Sequence, residues 1–430
     1  MWVLVLWVSA MQVKAQNNLN QPYSQYGVGT SESLFNMPMA IRRGGAIHTL
    51  GGYNFINPFN PASYGSIERE SFVFDMGLTL QIANLKDATN SARNTDGNLG
   101  HLLLGFPLTK WWKMAAGVMP YSSVDYKTVV RNGGATTTYD GTGGVNEFFI
   151  GSAFNVVSSQ KQQLQVGFNI GYLAGTIQRA ITYTFTDTLS RASRKQKDTE
   201  VGNAVLDFGV QYRYALNEQY TLGVGLTYKP KMSLHIDEQA MVYTFTTVGG
   251  QEVLLDTIFP AQGATTDIES QLEQPHSLGI GVSIERNGYW EAMVDATFAG
   301  SQGLSYEEGG TQRVFGNSAV EEGSYSRCAI GFEKKVRMDA ASYWGRIGWS
   351  VGAYSDRGVM HLQIDGQSHR VDEWGMGIGA SFPMRKGKSL LTISMGYNSL
   401  GKEELLQCNT LTFGLAVSSC ERWFMKRKYN

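Results

Sequence analysis

The chain has 430 residues, 42% of them hydrophobic, and its 36 Lys and Arg against 37 Asp and Glu leave a formal net charge of −1. That balance provides no cationic field for nucleic acid. Outside an N-terminal leader no apolar run approaches the roughly 18 residues that a membrane helix needs, so a helical membrane protein is excluded.

Residues 2–10 are apolar, and Val13-Lys14-Ala15 before Gln16 places small residues where a signal peptidase would cut. Residues 1–15 therefore read as a Sec-type signal peptide, although no Lys or Arg precedes the apolar run. No Cys stands at the cut, which excludes a lipoprotein. Residues 16–67 follow as a polar, Gly- and Asn-rich stretch that does not alternate. Its prolines make it a poor strand, and 31–39 reads as a short helical turn.

From residue 68 to the C-terminus the chain alternates. Phe72, Phe74, Met76, Leu78, Leu80 and Ile82 share one face, and Val73, Asp75, Gly77, Thr79 and Gln81 share the other. Period two is the signature of a β-strand. The pattern recurs in segments 71–83, 98–106, 112–122, 146–157, 164–185, 202–214, 219–232, 276–286, 289–299, 323–334, 342–355, 372–382, 389–398 and 409–420. An even set of strands, each apolar on one face and polar or glycine on the other, predicts an all-β fold. It is a transmembrane antiparallel β-barrel of about 14 strands in a bacterial outer membrane. Short and long connections strictly alternate up to the last hairpin, as periplasmic turns and external loops do. The longest external stretch, 233–275, has Gly249-Gly250 to turn a hairpin. Trp111, Trp112, Tyr121, Tyr212, Tyr214, Tyr228, Trp290, Tyr343, Trp344, Trp374, Trp423 and Phe424 lie near strand ends and read as aromatic girdles. Pro107 and Pro230 are candidate breaks in the strand ladder.

Alternation assigns Asp75, Asp207, Arg213, Glu285, Glu291, Asp295, Arg327, Glu333, Arg346 and Glu373 to the lumen, because charge facing lipid is costly. Gly348-Trp349-Ser350-Val351-Gly352 matches G-x-S-x-G, but it lies inside a strand, not at the strand–turn–helix elbow a nucleophile needs. The six His and three Cys show no metal-ligand spacing. No catalytic residue, metal or cofactor is expected.

The stretch Ala40-Ile41-Arg42-Arg43-Gly44-Gly45-Ala46, followed by Asn57-Pro58-Phe59-Asn60-Pro61-Ala62-Ser63, resembles the N-terminal region of FadL-type outer-membrane transporters. Pro120-Tyr121-Ser122-Ser123 and the ending from Glu421 resemble their Bacteroidetes branch. The resemblance implies fourteen strands, and a hatch of residues 16–67 plugging a barrel formed by 68–430. Lumen-facing Gly167, Gly171, Gly223, Gly225, Gly279, Gly281, Gly375, Gly377 and Gly379 would leave room for that hatch, and Arg42 and Arg43 would latch it onto the inward acids. It further implies passive uptake of a hydrophobic, fatty-acid-like ligand. The rival reading is an accessory subunit of an outer-membrane secretion or assembly machine, with outer-membrane lipid and protein partners.

Overall fold

The computed structural model describes residues 21–31, 34, 36–87, 91–187, 190–248, 251–259, 267–300, 319–320, 324–364, 367–384, 389–402 and 406–422. The leader, the Gly249-Gly250 turn, Trp423 and Phe424 lie outside them. Fourteen antiparallel strands close into a barrel. The first half comprises β1 (Ser71–Lys86), β2 (Ser91–Pro107), β3 (Trp112–Asn132), β4 (Ala135–Ser158), β5 (Gln162–Phe185), β6 (Ala192–Ala215) and β7 (Tyr220–Lys229, continued past Pro230 as Met232–Val248). The second half comprises β8 (Asp267–Gln274 and Ser277–Arg286), β9 (Trp290–Gly300), β10 (Ser324–Lys334), β11 (Gly348–Ile364), β12 (Gln367–Met384), β13 (Ser389–Lys402) and β14 (Leu406–Arg422). β14 pairs with β1 from Gln407↔Lys86 to Arg422↔Ser71, which closes the ring.

The alternation sorts as period two requires. On β1 Val73, Asp75, Thr79 and Gln81 are buried, while Leu78 and Leu80 on the other face are exposed. Around the wall Ile150, Ile170, Val294, Ile330 and Ile393 are likewise exposed, which gives an apolar exterior suited to lipid. Aromatic stacks mark the short-turn rim: Trp112 with Phe154, Phe154 with Phe168, and Trp290 with Phe332. Tyr121 is not part of a girdle; it sits at a bulge and packs on the interior cluster around Val124 and Leu173.

Three differences from the sequence reading have physical causes. Residues 123–145 and 186–200, expected as loops, largely continue the strands. β4, β5 and β6 each run 24 residues, against the about 9–11 that span a bilayer. Gly133 and Gly134, at φ +54° and +90°, turn the β3–β4 hairpin, and above the membrane a strand needs no apolar face. Second, the strand expected from 342 begins at Gly348, because Ser342 Oγ accepts the Gly345 N–H and caps a helical turn, Tyr343–Arg346. Arg346 is therefore not a lumen charge; its Nε donates to Ala340 O in the turn. Third, the N-terminal helical turn falls at Pro38–Ile41.

Residues 36–67 lie within the ring. Pro38–Ile41, which we name α1, touches β1, β12, β13 and β14, and the 3₁₀ turn Pro61–Ser66 touches β3 to β6. Met39, Ile56, Tyr64 and Ile67 from this segment form one apolar cluster with Val73, Leu103, Ala115 and Phe149 of the wall.

Candidate functional site

The interior site starts from local backbone chemistry. Gly44 and Gly45 adopt φ +59° and +75°, a left-handed conformation that β-carbons disfavour, and so reverse the chain after α1. Asn57 and Asn60 then act as internal braces. Asn57 Nδ2 donates to Ile47 O at 2.8 Å and Leu50 O at 2.9 Å. Asn60 Nδ2 donates to His48 O at 2.6 Å, and its Oδ1 accepts the Ala62 N–H, capping the turn that Pro61 opens. Pro58 O accepts from Asn169 Nδ2 of β5 at 3.0 Å.

Charge fixes the segment to the wall. Arg42 and Arg43 are each 1% exposed. Both converge on Glu333 of β10: Arg42 Nη2 to Oε1 at 2.7 Å, Arg43 Nε to Oε2 at 3.0 Å, with Arg43 Nη2 also on Oε2. Arg42 Nη1 donates to Ser350 Oγ at 3.1 Å, so the serine of the G-x-S-x-G match serves as an acceptor in the lumen. Burial and the like charge of Arg43 lower the Arg42 pKa to about 10, against the pull of Glu333, which leaves it charged at neutral pH. Asp295 of β9 accepts the Ile47 N–H at 2.5 Å and the His48 N–H at 2.8 Å. Burial, then Arg327, pushes the His48 imidazole down to about 4, so it is neutral at pH 7. Asp75 accepts from Ser418 Oγ at 2.9 Å and from Ile56 N–H at 3.4 Å.

The other predicted lumen charges pair within the wall. Lys229 meets Asp207 at 3.0 Å, Arg213 meets Glu285 at 3.7 Å, and Lys335 meets Glu291 at 3.1 Å. Arg327 faces Asp356 at 3.5 Å, and Glu373 accepts from Tyr354 Oη at 2.6 Å. The lumen glycines divide. A Cβ at Gly167, Gly225, Gly279, Gly281, Gly377 or Gly379 would meet residues 41–62, whereas at Gly171, Gly223 and Gly375 it would meet wall residues only. Gly209 and Gly352 belong with the first group, against Asn60 and the Arg43 carbonyl, and period two places them on the inner face with Asp207 and Ser350.

The wall itself parts between β2 and β3. Their ladder runs only from Leu102↔Val118 to Pro107↔Lys113, while β2 stays on β1 up to Ser91 and β3 stays on β4 up to Asn132. Pro120, which has no amide hydrogen, lies just past the last rung, and the β3–β4 register shifts between Pro120 and Ser122. Pro107 stays in the ladder, and Pro230 only divides β7. The N-terminal segment enters the seam. Thr30 and Ser31 pair antiparallel with Ser123 and Ser122, and Ser122 Oγ donates to Val28 O at 2.7 Å. On the opposite lip Gly100 rests on the Asn36 carbonyl, and Asn36 Oδ1 accepts from Thr79 at 2.7 Å.

Two large cavities flank the segment. One of about 1030 Å³ opens at the seam on the long-loop side. One of about 630 Å³ opens at the short-turn rim, against Arg42, Phe55, Arg213 and Lys335. They share no lining residue.

A family model described as BamG matches residues 1–430. The chain belongs to the BamG family. The expected FadL likeness holds at the level of the fold. A Pseudomonas aeruginosa FadL homologue superposes with a TM-score of 0.55 at 13% identity, over 93% of this chain and 100% of its own. The CymD monoaromatic hydrocarbon channel gives 0.51 at 12% identity, over 89% and 98%. The Pseudomonas putida toluene transporter TodX gives 0.51 at 12%, over 89% and 97%. No curated protein matches the chain.

Proposed function

We propose that this BamG-family chain is a non-enzymatic outer-membrane barrel that works as a structural subunit of an outer-membrane protein assembly or secretion machine. Its residues 16–67 serve as a hatch that keeps the lumen shut. The observation that carries this reading is the clamp on residues 36–67. Two buried guanidinium groups on one buried carboxylate, with backbone seated on glycines, oppose displacement, and the cavities on either side share no lining residue. Stripping one partner from such a buried pair costs several kcal/mol, which suits a fixed plug better than a moving gate.

A second feature supports the same reading. β3 to β6 and the upper part of β7 form one continuous sheet beyond the bilayer. Together with the strand Gln251–Phe259 paired to β7, it leaves Val129, Val130, Tyr183, Phe185 and Leu254 exposed, and exposed apolar sets of this kind mark interaction surfaces. Membership of the BamG family agrees with a life among protein partners. Sec export and the Bacteroidetes branch belong to this proposal.

Passive uptake of a hydrophobic ligand is the second reading, favoured by the channel fold and the parted wall. Native mass spectrometry of the protein taken from its own outer membrane in mild detergent separates the two. A stoichiometric complex with other outer-membrane proteins is expected. A lone barrel carrying apolar small molecules would overturn the subunit reading.

A further inference from the structure

The seam cavity is built from side chains that a lipid-facing wall would not carry. Lower on β4 the outward positions are Phe148 and Ile150, both exposed. Higher up the same face of β4 presents Thr138, Asp140 and Thr142 to the cavity, and β3 presents Ser123, Asp125 and Lys127. Ser122, Val124 and Tyr126, alternating with the latter, are buried, and Ser122 and Tyr126 reach the same cavity from the inner side. The opposite lip contributes Asn94 and Asn98 of β2. The buried Asn94 Nδ2 has no hydrogen-bond partner. This amide donor faces no protein acceptor and is available to a ligand in the cavity.

The chemistry of the lining narrows the occupant. A hydrocarbon would strip water from hydroxyls, amides and charges without replacing their hydrogen bonds. A simple anion finds Asp125 and Asp140 beside Lys127 and Arg194, so the lining charges cancel. What remains is a neutral ligand with donors and acceptors in dense array. Hydroxyl, amide and carboxylate groups together satisfy vicinal hydroxyls, and about 1030 Å³ holds more than one ring. Leu99 on β2, itself exposed, also lines the cavity.

We propose that the seam cavity binds a saccharide, either free or as the headgroup of an outer-leaflet glycolipid. This stands apart from the subunit reading and survives its failure.

The full-length protein in detergent is titrated with rough lipopolysaccharide and, separately, with the core oligosaccharide freed of lipid, by calorimetry and native mass spectrometry. Two variants are compared, Asn94→Leu with Thr142→Val, and Thr138→Trp, which fills the outward face; heat-modifiable migration reports that each barrel is folded. The expected result is binding of the free oligosaccharide that weakens by about tenfold for each lost partner. Binding of the intact glycolipid alone, lost in the variants, also sustains the proposal and identifies the membrane as the source. Failure of both probes to bind, equal binding by the variants, or preferential filling of the cavity by an unstructured peptide of matched size overturns it.

Discussion

The inner segment and the projecting sheet solve opposite problems. The segment buries what water would welcome: Arg42, Arg43, His48, Asn57 and Asn60 are all nearly inaccessible. The sheet leaves in water what a soluble domain would hide: Val130 is 49% exposed, Phe185 42% and Leu254 58%. In a barrel the wall has its apolar side turned to lipid, so the apolar cluster around Ile56 and Tyr64 is supplemented inside by polar fit, residue by residue. Such a fit is specific and intolerant of change. Outside the bilayer no such fit constrains the sheet, and its apolar side chains are available to a partner.

That contrast can be broken most severely at Glu333. Glu333→Gln leaves two buried guanidinium groups without a counter-charge, and a loss of about 3–5 kcal/mol is expected. Urea unfolding in detergent, followed by Trp fluorescence, reads it, and a loss below 1 kcal/mol would mean the clamp does not hold the segment. Next in size, Gly352→Val would drive a side chain into the Arg43 carbonyl. Such overpacking costs about 1–3 kcal/mol, and hydrogen exchange of residues 40–46 should rise while that of β5 stays unchanged.

The pH dependence is signed. His48 takes a proton near pH 6.5 when unfolded but resists until about 4 when folded. Between those values the unfolded state binds more protons, so stability is full above pH 6.5 and falls as the pH drops toward 4. His48→Gln should flatten that slope; an unchanged slope would point to another group. Smallest of all for the barrel, Val130→Glu with Leu254→Glu should shift stability by no more than about 0.5 kcal/mol while dissociating the complex seen by native mass spectrometry. Arg42→Ala with Arg43→Ala completes the comparison: conductance in planar bilayers should appear if residues 36–67 seal the lumen, and a silent double variant would place the seal elsewhere.

The sequence carried the wall well and the site only in part, for one reason. Strand faces are local, so period two sorted Leu78 from Asp75 directly. The upper parts of β3, β4 and β6 read as loops in the sequence because the apolar signal ends where the lipid ends, although the hydrogen-bonded ladder does not; β5, expected over 164–185, spans Gln162–Phe185. Arg346 was misplaced because a single hydroxyl, Ser342, caps a turn within an alternating run. The seam between β2 and β3 depends on which strands fail to pair, and no local pattern records an absent neighbour. Nor does anything near Arg43 single out Glu333, 290 positions away, from the other inward acids. The Asn-Pro motif was visible, but not its use as a brace for the His48 carbonyl.

That separation has a consequence for how the protein comes to exist. The inner segment precedes the strands of the wall in sequence, while its ion pairs and glycine seats lie as far away as β9 to β12. Contacts so distant in sequence are slow to form. With β14 paired to β1, Gly352, Gly377 and Gly379 of the closed ring press on residues 41–44. If the ring closes around residues 36–67, those contacts form rung by rung, and the inner segment acts as a template for its own wall.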